Sequence, residues 1–378
     1  MRSKVIAPGL HTSLQDDGRR GFQDVGVPVS GPLDRVALRL ANALVGNPQD
    51  TAALEILVQG PTLEVMAQSV RVALVGGSGG LDILDGQERV APPGESVRLT
   101  QGTRLRVRGL GKVSCAYLAI EGGFAATPVL RSLSTYMRGG LGGFDGRPLA
   151  AGDILPISAG AVEERPELAL PSPLDPGLDQ PIRAVLGPQD DFFSEGAIGT
   201  FLSSTYTVSA QADRMGFRLE GPKLDHAKGY DIVSDAIVAG SVQVPGSGQP
   251  IVLLVDAQTT GGYPKIATVA SADLPALGRR RPGDPVRFMA VSQPDAEALR
   301  REQEAHVREI VAGLREAKHG RAVDLQALYR ANLVGGMISA FGEDLTGEIY
   351  VAHHTVGTIY KLVDTTGGPN PRRRSVRR

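Results

Sequence analysis

The sequence predicts a mainly β fold with a few helices (α+β), arranged as two β-rich domains. Three observations carry that prediction. Short apolar runs of period two recur along most of the chain, broken by Gly, Pro and Asp. The 378 residues include 48 Gly and 26 Pro, which punctuate a turn-rich chain. Helical periodicity, by contrast, is clear in only a few places. At 42% apolar and 21% charged residues, the composition is that of a soluble globular chain long enough for two domains.

The first domain is expected over residues 1–155. Its strands read as ALEILVQ, TLEVM, VRVALVGG, LDILDG, SVRLTQG, RLRVRG and SCAYLAIEGG. One helix interrupts them. Leu33, Val36, Ala37, Leu40 and Leu44 recur at helical spacing, with Ser30 as the expected N-cap and Gly46 as the stop. Residues 156–181 are Pro-rich and aperiodic, and read as an interdomain linker or long surface loop. The second domain is expected over residues 182–340, with strands IRAVLG, STYTVSA, GFRLEG, IVLLVDA, KIATVA and DPVRFMAV. Ser292 and Pro294 then open an amphipathic closing helix, with Leu299, Val307, Ile310 and Leu314 on one side. Two short echoes, VQGPTLEV with LEGPKLDH and PPGESVRL with RPGDPVRF, raise a duplication of one β-rich unit. Residues 341–378 form an atypical tail with a basic end, an accessory hairpin or a disordered extension.

Several function classes are disfavoured. A net charge of −1 gives no global attraction to nucleic acid or an anionic membrane, and PRRRSVRR reads as a solvated tail. No apolar run is long enough to span a bilayer, and MRSKVIAPGL lacks a signal core. Cys115, the only cysteine, sits in an alternating run and reads as a buried core thiol. No disulfide can form within the chain, which suits a cytoplasmic location. Gly76-Gly77-Ser78-Gly79-Gly80 fits G-x-S-x-G, but strand-like LDILDG follows it, so a hairpin turn is expected rather than a nucleophile elbow. That context also argues against a dinucleotide loop, and no P-loop motif or biotin-carrier Met-Lys-Met is present. The histidines show no metal-ligand spacing, so no metal is expected.

Four stretches combine carboxylates, Arg or Gln, and glycines: residues 12–34, 134–153, 212–222 and 239–264. The last ends in Gln258-Thr259-Thr260-Gly261-Gly262-Tyr263-Pro264, between two apolar runs. It reads either as a hairpin turn or as a ligand-lining loop whose glycines take φ > 0.

Together these stretches resemble the biotin-dependent carboxyltransferase family that includes the 5-oxoprolinase C component, also called allophanate hydrolase subunit 2, and the second half of the urea carboxylase carboxyltransferase domain. The matching residues are Gln15, Asp16, Gly18, Arg19, Ser30, Gly31, Asp34, Asn42, Asn47 and Glu55. They continue with Ser134-Thr135-Tyr136, Gly142, Gly143, Gly146, Arg147, Gly152 and Asp153, then GPQDDFF, and Asp213 to Gly216 with Arg218 to Pro222. Gln243, Pro245, Asp256 and Gln258 to Pro264 complete the set, which covers residues 5 to 340 in order.

The resemblance implies two β-barrel-like domains, the C-terminal one cyclophilin-like. It implies an obligate partner like the 5-oxoprolinase B component, and a further protein like its A component. ATP would be used in the assembled complex to open 5-oxo-L-proline to glutamate. Under the urea-type alternative, carrier-bound biotin delivers a carboxyl group to urea or another small amide. A non-enzymatic partner of a kinase-inhibitor-type protein is a third reading. Asp16, Asp34 and Tyr263 are the candidate catalytic groups. Gln15, Arg19, Arg214, Gln243, Gln258, Thr260, Gly261, Gly262 and Tyr263 are the candidate substrate-binding residues. Arg19, Arg214 and Gln258 have the chemistry to hold a carboxylate or phosphate. The chain departs from the family at Arg279, where Gln is usual, and in the tail beyond about Ala340.

Overall fold

The structure is a computed structural model describing residues 2–86 and 88–317, together with the backbone of strands Ile338–Glu343, Ile349–His353 and Thr358–Lys361. Residues up to 317 form one compact unit. The three later strands form an antiparallel sheet of their own, in which the expected strand pair is present. The basic end of the tail lies outside the described residues.

The N-terminal half builds two sheets. The six-stranded one has the order Ile154–Pro156, Arg2–Ala7, Thr62–Val65, Arg104–Val107, Leu81–Leu84, Glu88–Ala91. The five-stranded one has the order His11–Gln15, Ala53–Leu57, Cys115–Ile120, Ser69–Val75, Ser96–Thr100. Every pairing in both is antiparallel. Leu14, Leu54, Ile56, Leu74 and Leu118 pack with Val5, Leu63, Leu81 and Leu105 of the six-stranded sheet to form one core. The opposite face presents Ala53, Ala73, Val75, Cys115 and Tyr117 to a second core. Both faces of the five-stranded sheet are therefore covered. This explains why Ser69–Val75 and Cys115–Ile120 are buried throughout.

The second core is completed by α1 (Arg35–Val45) and by an eight-stranded sheet. Its order is Pro285–Val286, Tyr206–Val208, Gly216–Glu220, Ile251–Leu253, Ser241–Gln243, Lys265–Val269, Ile182–Leu186, Phe288–Ala290. The two edge strands are separated in the chain by Arg287 alone. One residue cannot cross an open sheet of eight strands, so the sheet must curl into a nearly closed barrel. α2 (Glu195–Ser203) and the short α3 (Leu274–Gly278) accompany it. α4 (Gln293–Ala312) follows, opened by a capping box between Ser292 and Asp295 and burying Val307. Residues 156–181 run as a strap, whose Leu168–Ala169 pairs with Arg315–Glu316.

Several local expectations need correction. The N-cap of α1 is Asp34, whose Oδ1 accepts from Ala37 N at 3.0 Å. Ser30 lies four residues upstream with φ 55°, whereas a capping residue needs an extended backbone. Gly46 ends the helix as expected, with φ 81°. Leu314 lies beyond α4. The turn around Ser78 does join two strands, but these belong to different sheets, so it turns a corner rather than a hairpin. The two halves do not repeat one topology. Gly60-Pro61 and Gly221-Pro222 both follow a strand, but only the first opens into another.

Candidate functional site

A polar seam runs where the five-stranded sheet meets α1 and the barrel. Its base is a cross-strand rung. Glu55 lies in register with Ser13 on one neighbour and Tyr117 on the other, so all three side chains share the face turned away from the first core. Tyr117 Oη donates to Glu55 Oε2 at 2.5 Å and accepts from Asp34 N at 2.8 Å. Leu33 N donates to the same carboxylate oxygen at 2.9 Å. Arg214 Nη1 donates to Glu55 Oε1. Its Nε donates to Asp256 Oδ2 at 2.8 Å and its Nη2 to Gly31 O at 2.8 Å. Beside this group, Arg279 Nε donates to Asp34 Oδ2 at 2.6 Å and Nη1 to Asp175 O at 2.9 Å.

Taking these ions out of water is unfavourable unless every partner is present. Burial opposes the charge on Arg214, but the Asp256 and Glu55 carboxylates overcome it and hold the guanidinium protonated beyond its ordinary range. Burial, with Glu55 alongside, likewise pushes the Tyr117 hydroxyl well up, so it remains a donor. Burial also pushes up the thiol of Cys115, which is buried in its strand as expected.

Loop 15–31 and the glycine loop 132–147 lie against this frame. Asp16 accepts from Gly18 N at 2.9 Å, Ser132 Oγ at 2.6 Å, Ser134 Oγ at 2.6 Å and Leu133 N at 2.6 Å. Its lone pairs are thus committed to bracing the two loops. Asp34 is similarly committed, to the α1 cap and to Arg279. Arg19 is fully buried and gives one Nη2 bond, to Ser134 O. Its Nε and Nη1 have no partner. Gln15 Nε2 donates to Ser13 Oγ at 2.9 Å and Thr135 O at 3.2 Å, while its Oε1 is unpartnered. Ser30, held in the left-handed region, has an unpartnered Oγ. Gly142 has φ 69°, and a Cβ there would lie 2.8 Å from Arg19 Nη2, so glycine is what lets this loop close over the arginine. A cavity of about 600 Å³ opens on the same glycine loop. A groove of about 530 Å³, lined by residues of α4 and by Arg279, is largely apolar.

The stretch from Gln258 to Pro264 is not a hairpin turn. Its flanking strands, Ile251–Leu253 and Lys265–Val269, both pair with Ser241–Gln243, which lies between them. Gly261 and Gly262 do not take positive φ. Thr260-Gly261 instead pairs with Asp235-Ala236, Ile232 N donates to Gly262 O at 2.9 Å, and Ile237 N to Thr259 O at 2.9 Å. A Cβ on Gly261 would lie 2.6 Å from Gln243 Nε2 and from Ile237 Cδ1. The close approach that requires glycine is therefore made by the protein's own side chains. Gln258, Thr260 and Tyr263 are exposed, and Gln243 is buried with Nε2 3.4 Å from Tyr263 O. Lys265 is buried nearby. Its Nζ donates to Asp235 Oδ2 at 2.5 Å and Ala236 O at 2.8 Å. Bonds from Lys265 and Gln189 hold the Asp235 carboxyl down at about 2.

The structure thus brings Gln15, Asp16, Arg19, Asp34 and Arg214 to the seam. Gln243, Thr260, Gly261, Gly262 and Tyr263 gather at the barrel loop, and Asp256, two residues before Gln258, belongs to the seam. Sequence reading assigned no role to Tyr117 or Lys265, named Glu55 only as a family match, and gave Ser30 the helix cap instead. The available signal was an ionisable or hydroxyl residue inside an otherwise apolar strand, as in ALEIL, CAYLAI and KIATV. Among the described residues no group of His, Cys, Asp and Glu could hold a metal ion. No described helix is long and apolar enough to cross a membrane.

Two packed sheets joined to a nearly closed barrel, with a charged seam between, define a mostly β protein whose polar chemistry lies at an internal junction. The chain belongs to the carboxyltransferase domain, subdomain A and B, family, whose pattern matches residues 25–290. It is 36% identical over 307 residues to the C component of 5-oxoprolinase from Escherichia coli strain K12, covering 81% of this chain and 97% of that protein. It is 32% identical over 329 residues to urea amidolyase of Saccharomyces cerevisiae, covering 81% of this chain and 18% of the yeast protein. The crystal structure of Kluyveromyces lactis urea carboxylase superposes with a TM-score of 0.74 at 28% identity, over 93% of this chain and 32% of that one. The chain therefore spans nearly all of the bacterial protein, and a third or less of the two yeast proteins.

Proposed function

We propose that the chain is the C-type component of an ATP-dependent 5-oxoprolinase, opening 5-oxo-L-proline to L-glutamate together with A-type and B-type components in the cytoplasm. The observation that carries this reading is the end-to-end similarity to a bacterial 5-oxoprolinase C component. The seam supports it, because a lactam carbonyl that gains negative charge needs donors fixed in advance in a dry site. The seam does not fit a triphosphate. Arg214 and Arg279 are already paired, leaving Arg19 as the cation there with uncommitted N–H groups. ATP is accordingly left to the assembled complex, and no residue of this chain is assigned to it.

The similarity to the yeast urea enzymes favours a second reading, carboxyl transfer from carrier-bound biotin to urea or another small amide. One assay separates the two. Purified chain is tested for 5-oxo-L-proline-dependent ATP hydrolysis alone and with cognate A-type and B-type components. The expected result is turnover only in the reconstituted mixture. Full activity from the lone chain would overturn the multi-component reading. An inert mixture that carboxylates urea once a biotin carboxylase and carrier are added would establish the alternative.

A further inference from the structure

Native proteins satisfy nearly all of their buried polar atoms, so a local cluster of unsatisfied ones calls for an explanation. Among the described residues, eight buried side-chain N and O atoms lack a partner, and five of them belong to residues 11–30. They are His11 Nε2, Gln15 Oε1, Arg19 Nε and Nη1, and Ser30 Oγ. The cluster sits on a heavily braced part of the molecule. Asp16 binds both loops around it, Arg19 N donates to Val29 O at 2.7 Å, and Ser30 N donates to Val255 O at 3.0 Å. Ser30 also holds an unfavourable left-handed backbone there, which persists only where the surroundings impose it.

The orphaned atoms are chemically complementary rather than random. Arg19 offers uncommitted N–H donors at Nε and Nη1, on opposite edges of a charged guanidinium, each able to give a single charge-assisted bond to a carboxylate oxygen. Gln15 offers a carbonyl oxygen, which needs an N–H. Ser30 offers a hydroxyl that serves either way. Arg214, a second arginine of the seam, cannot play this part, because its donors are already taken by Asp256, Glu55 and Gly31 O. Arg19 and Arg214 therefore have different duties in one seam.

We propose that Arg19, Gln15 and Ser30 form the substrate-recognition pocket for a small carboxylate bearing an amide N–H, with Arg19 holding the carboxylate and Gln15 Oε1 accepting from the N–H. Glu55, Arg214 and Asp256 are positioning residues that fix the loop carrying Ser30 and Gly31. This inference rests on the proposed function in that 5-oxo-L-proline, with its ring N–H next to a carboxylate, is the expected occupant. The pocket is closed in this structure, so entry requires the glycine loop at Gly142 to move away from Arg19.

The test uses the reconstituted complex and three probes in calorimetric titration: 5-oxo-L-proline, 2-pyrrolidone, which lacks the carboxylate, and N-acetylglycine, an open-chain carboxylate with an amide N–H. The wild-type complex is expected to prefer 5-oxo-L-proline to 2-pyrrolidone. Arg19→Lys should weaken 5-oxo-L-proline binding about 10–100-fold, the range for a hydrogen bond to a charged group, and erase that preference. KM should rise by the same factor, with kcat changed far less. Gln15→Leu should weaken 5-oxo-L-proline about tenfold, and provides the reading if Arg19→Lys fails to assemble. Unchanged affinity and KM in the variants that assemble would overturn the pocket while leaving the functional reading standing. A complex inert towards 5-oxo-L-proline that still binds N-acetylglycine in an Arg19-dependent way would overturn the functional reading and keep the pocket. Failure of all three probes to bind wild type would overturn the pocket.

Discussion

The barrel loop Gln258–Pro264 and the seam behind Gln15–Gly31 are both rich in glycine and hydrogen-bonding side chains, yet the fold uses them in opposite ways. The loop spends its backbone on itself. Residues 259–262 pair with residues 232–237, and Gly261 makes room for Gln243 and Ile237. The seam commits its ionic groups to rigidity and leaves a few polar atoms uncommitted in the middle. A glycine-rich turn is therefore a weaker pointer to a site than a buried donor that the protein itself does not use. The side chains of Gln258, Thr260 and Tyr263 remain available at the surface, and variants of them measure how far that contrast extends.

The largest expected effect comes from breaking the frame of the seam. Glu55→Leu leaves Arg214 with one carboxylate and Tyr117 without its acceptor. Removing one partner of a buried ion pair is destabilising by about 3–5 kcal/mol, and denaturant unfolding should record a loss of that order. A loss below about 1 kcal/mol would mean that the frame is looser than its bond lengths imply. Asp34→Ala should be next. It removes the α1 cap, about 0.5–2 kcal/mol, and also unpairs buried Arg279. Asp34→Asn keeps a capping oxygen but turns an NH2 donor toward Arg279 Nε, so Arg279 is unpaired in both variants and the difference between them reports mainly the cap.

The contrast itself is tested by Tyr263→Phe. The hydroxyl lies on an exposed ring, so stability should stay within about 0.5 kcal/mol. Turnover of the reconstituted complex should fall less than tenfold. A fall of about 10²–10³, as for a lost oxyanion donor, would move the chemistry from the seam to the barrel loop.

The smallest effect concerns acid stability. Asp235 has a folded value of about 2, set first by its bond from Lys265 and then by Gln189. A carboxylate depressed by folding contributes stability that is fully present above its unfolded value, about 3.9, and is lost as pH falls through the folded value. Stability measured between pH 4 and pH 2 should decline less steeply in Asp235→Asn than in wild type. Parallel acid limbs would show that the Lys265 bond is not maintained in solution.

Much of the fold was legible in the sequence, since its period-two runs mark strands that bury alternate or all side chains. α4 was readable from Ser292 onward because a capping box is local chemistry. Ser30 was misassigned as a cap because serine suits that role by type, and only the backbone reveals that Asp34 holds the extended conformation. The hairpin expected at Ser78, and the hairpin alternative for the Gln258–Pro264 stretch, fail for one reason. Strands adjacent in sequence need not be adjacent in a sheet, and pairing partners are chosen by long-range packing. Of the candidate site residues, Gln15, Arg19 and Arg214 were visible by type and by the family pattern. Their separate roles were not.

The sequence by itself determined the strand-rich class, the family, the burial of Cys115 and the residue types from which a site could be drawn. Tertiary structure alone decided which of two similar arginines is saturated and which is free. That distinction depends on residues far apart in the chain: Glu55 and Asp256 converge on Arg214, while Ser134 O satisfies only one bond of Arg19. Hydrogen-bond satisfaction is a property of distances between such residues, and no local pattern in the chain encodes it.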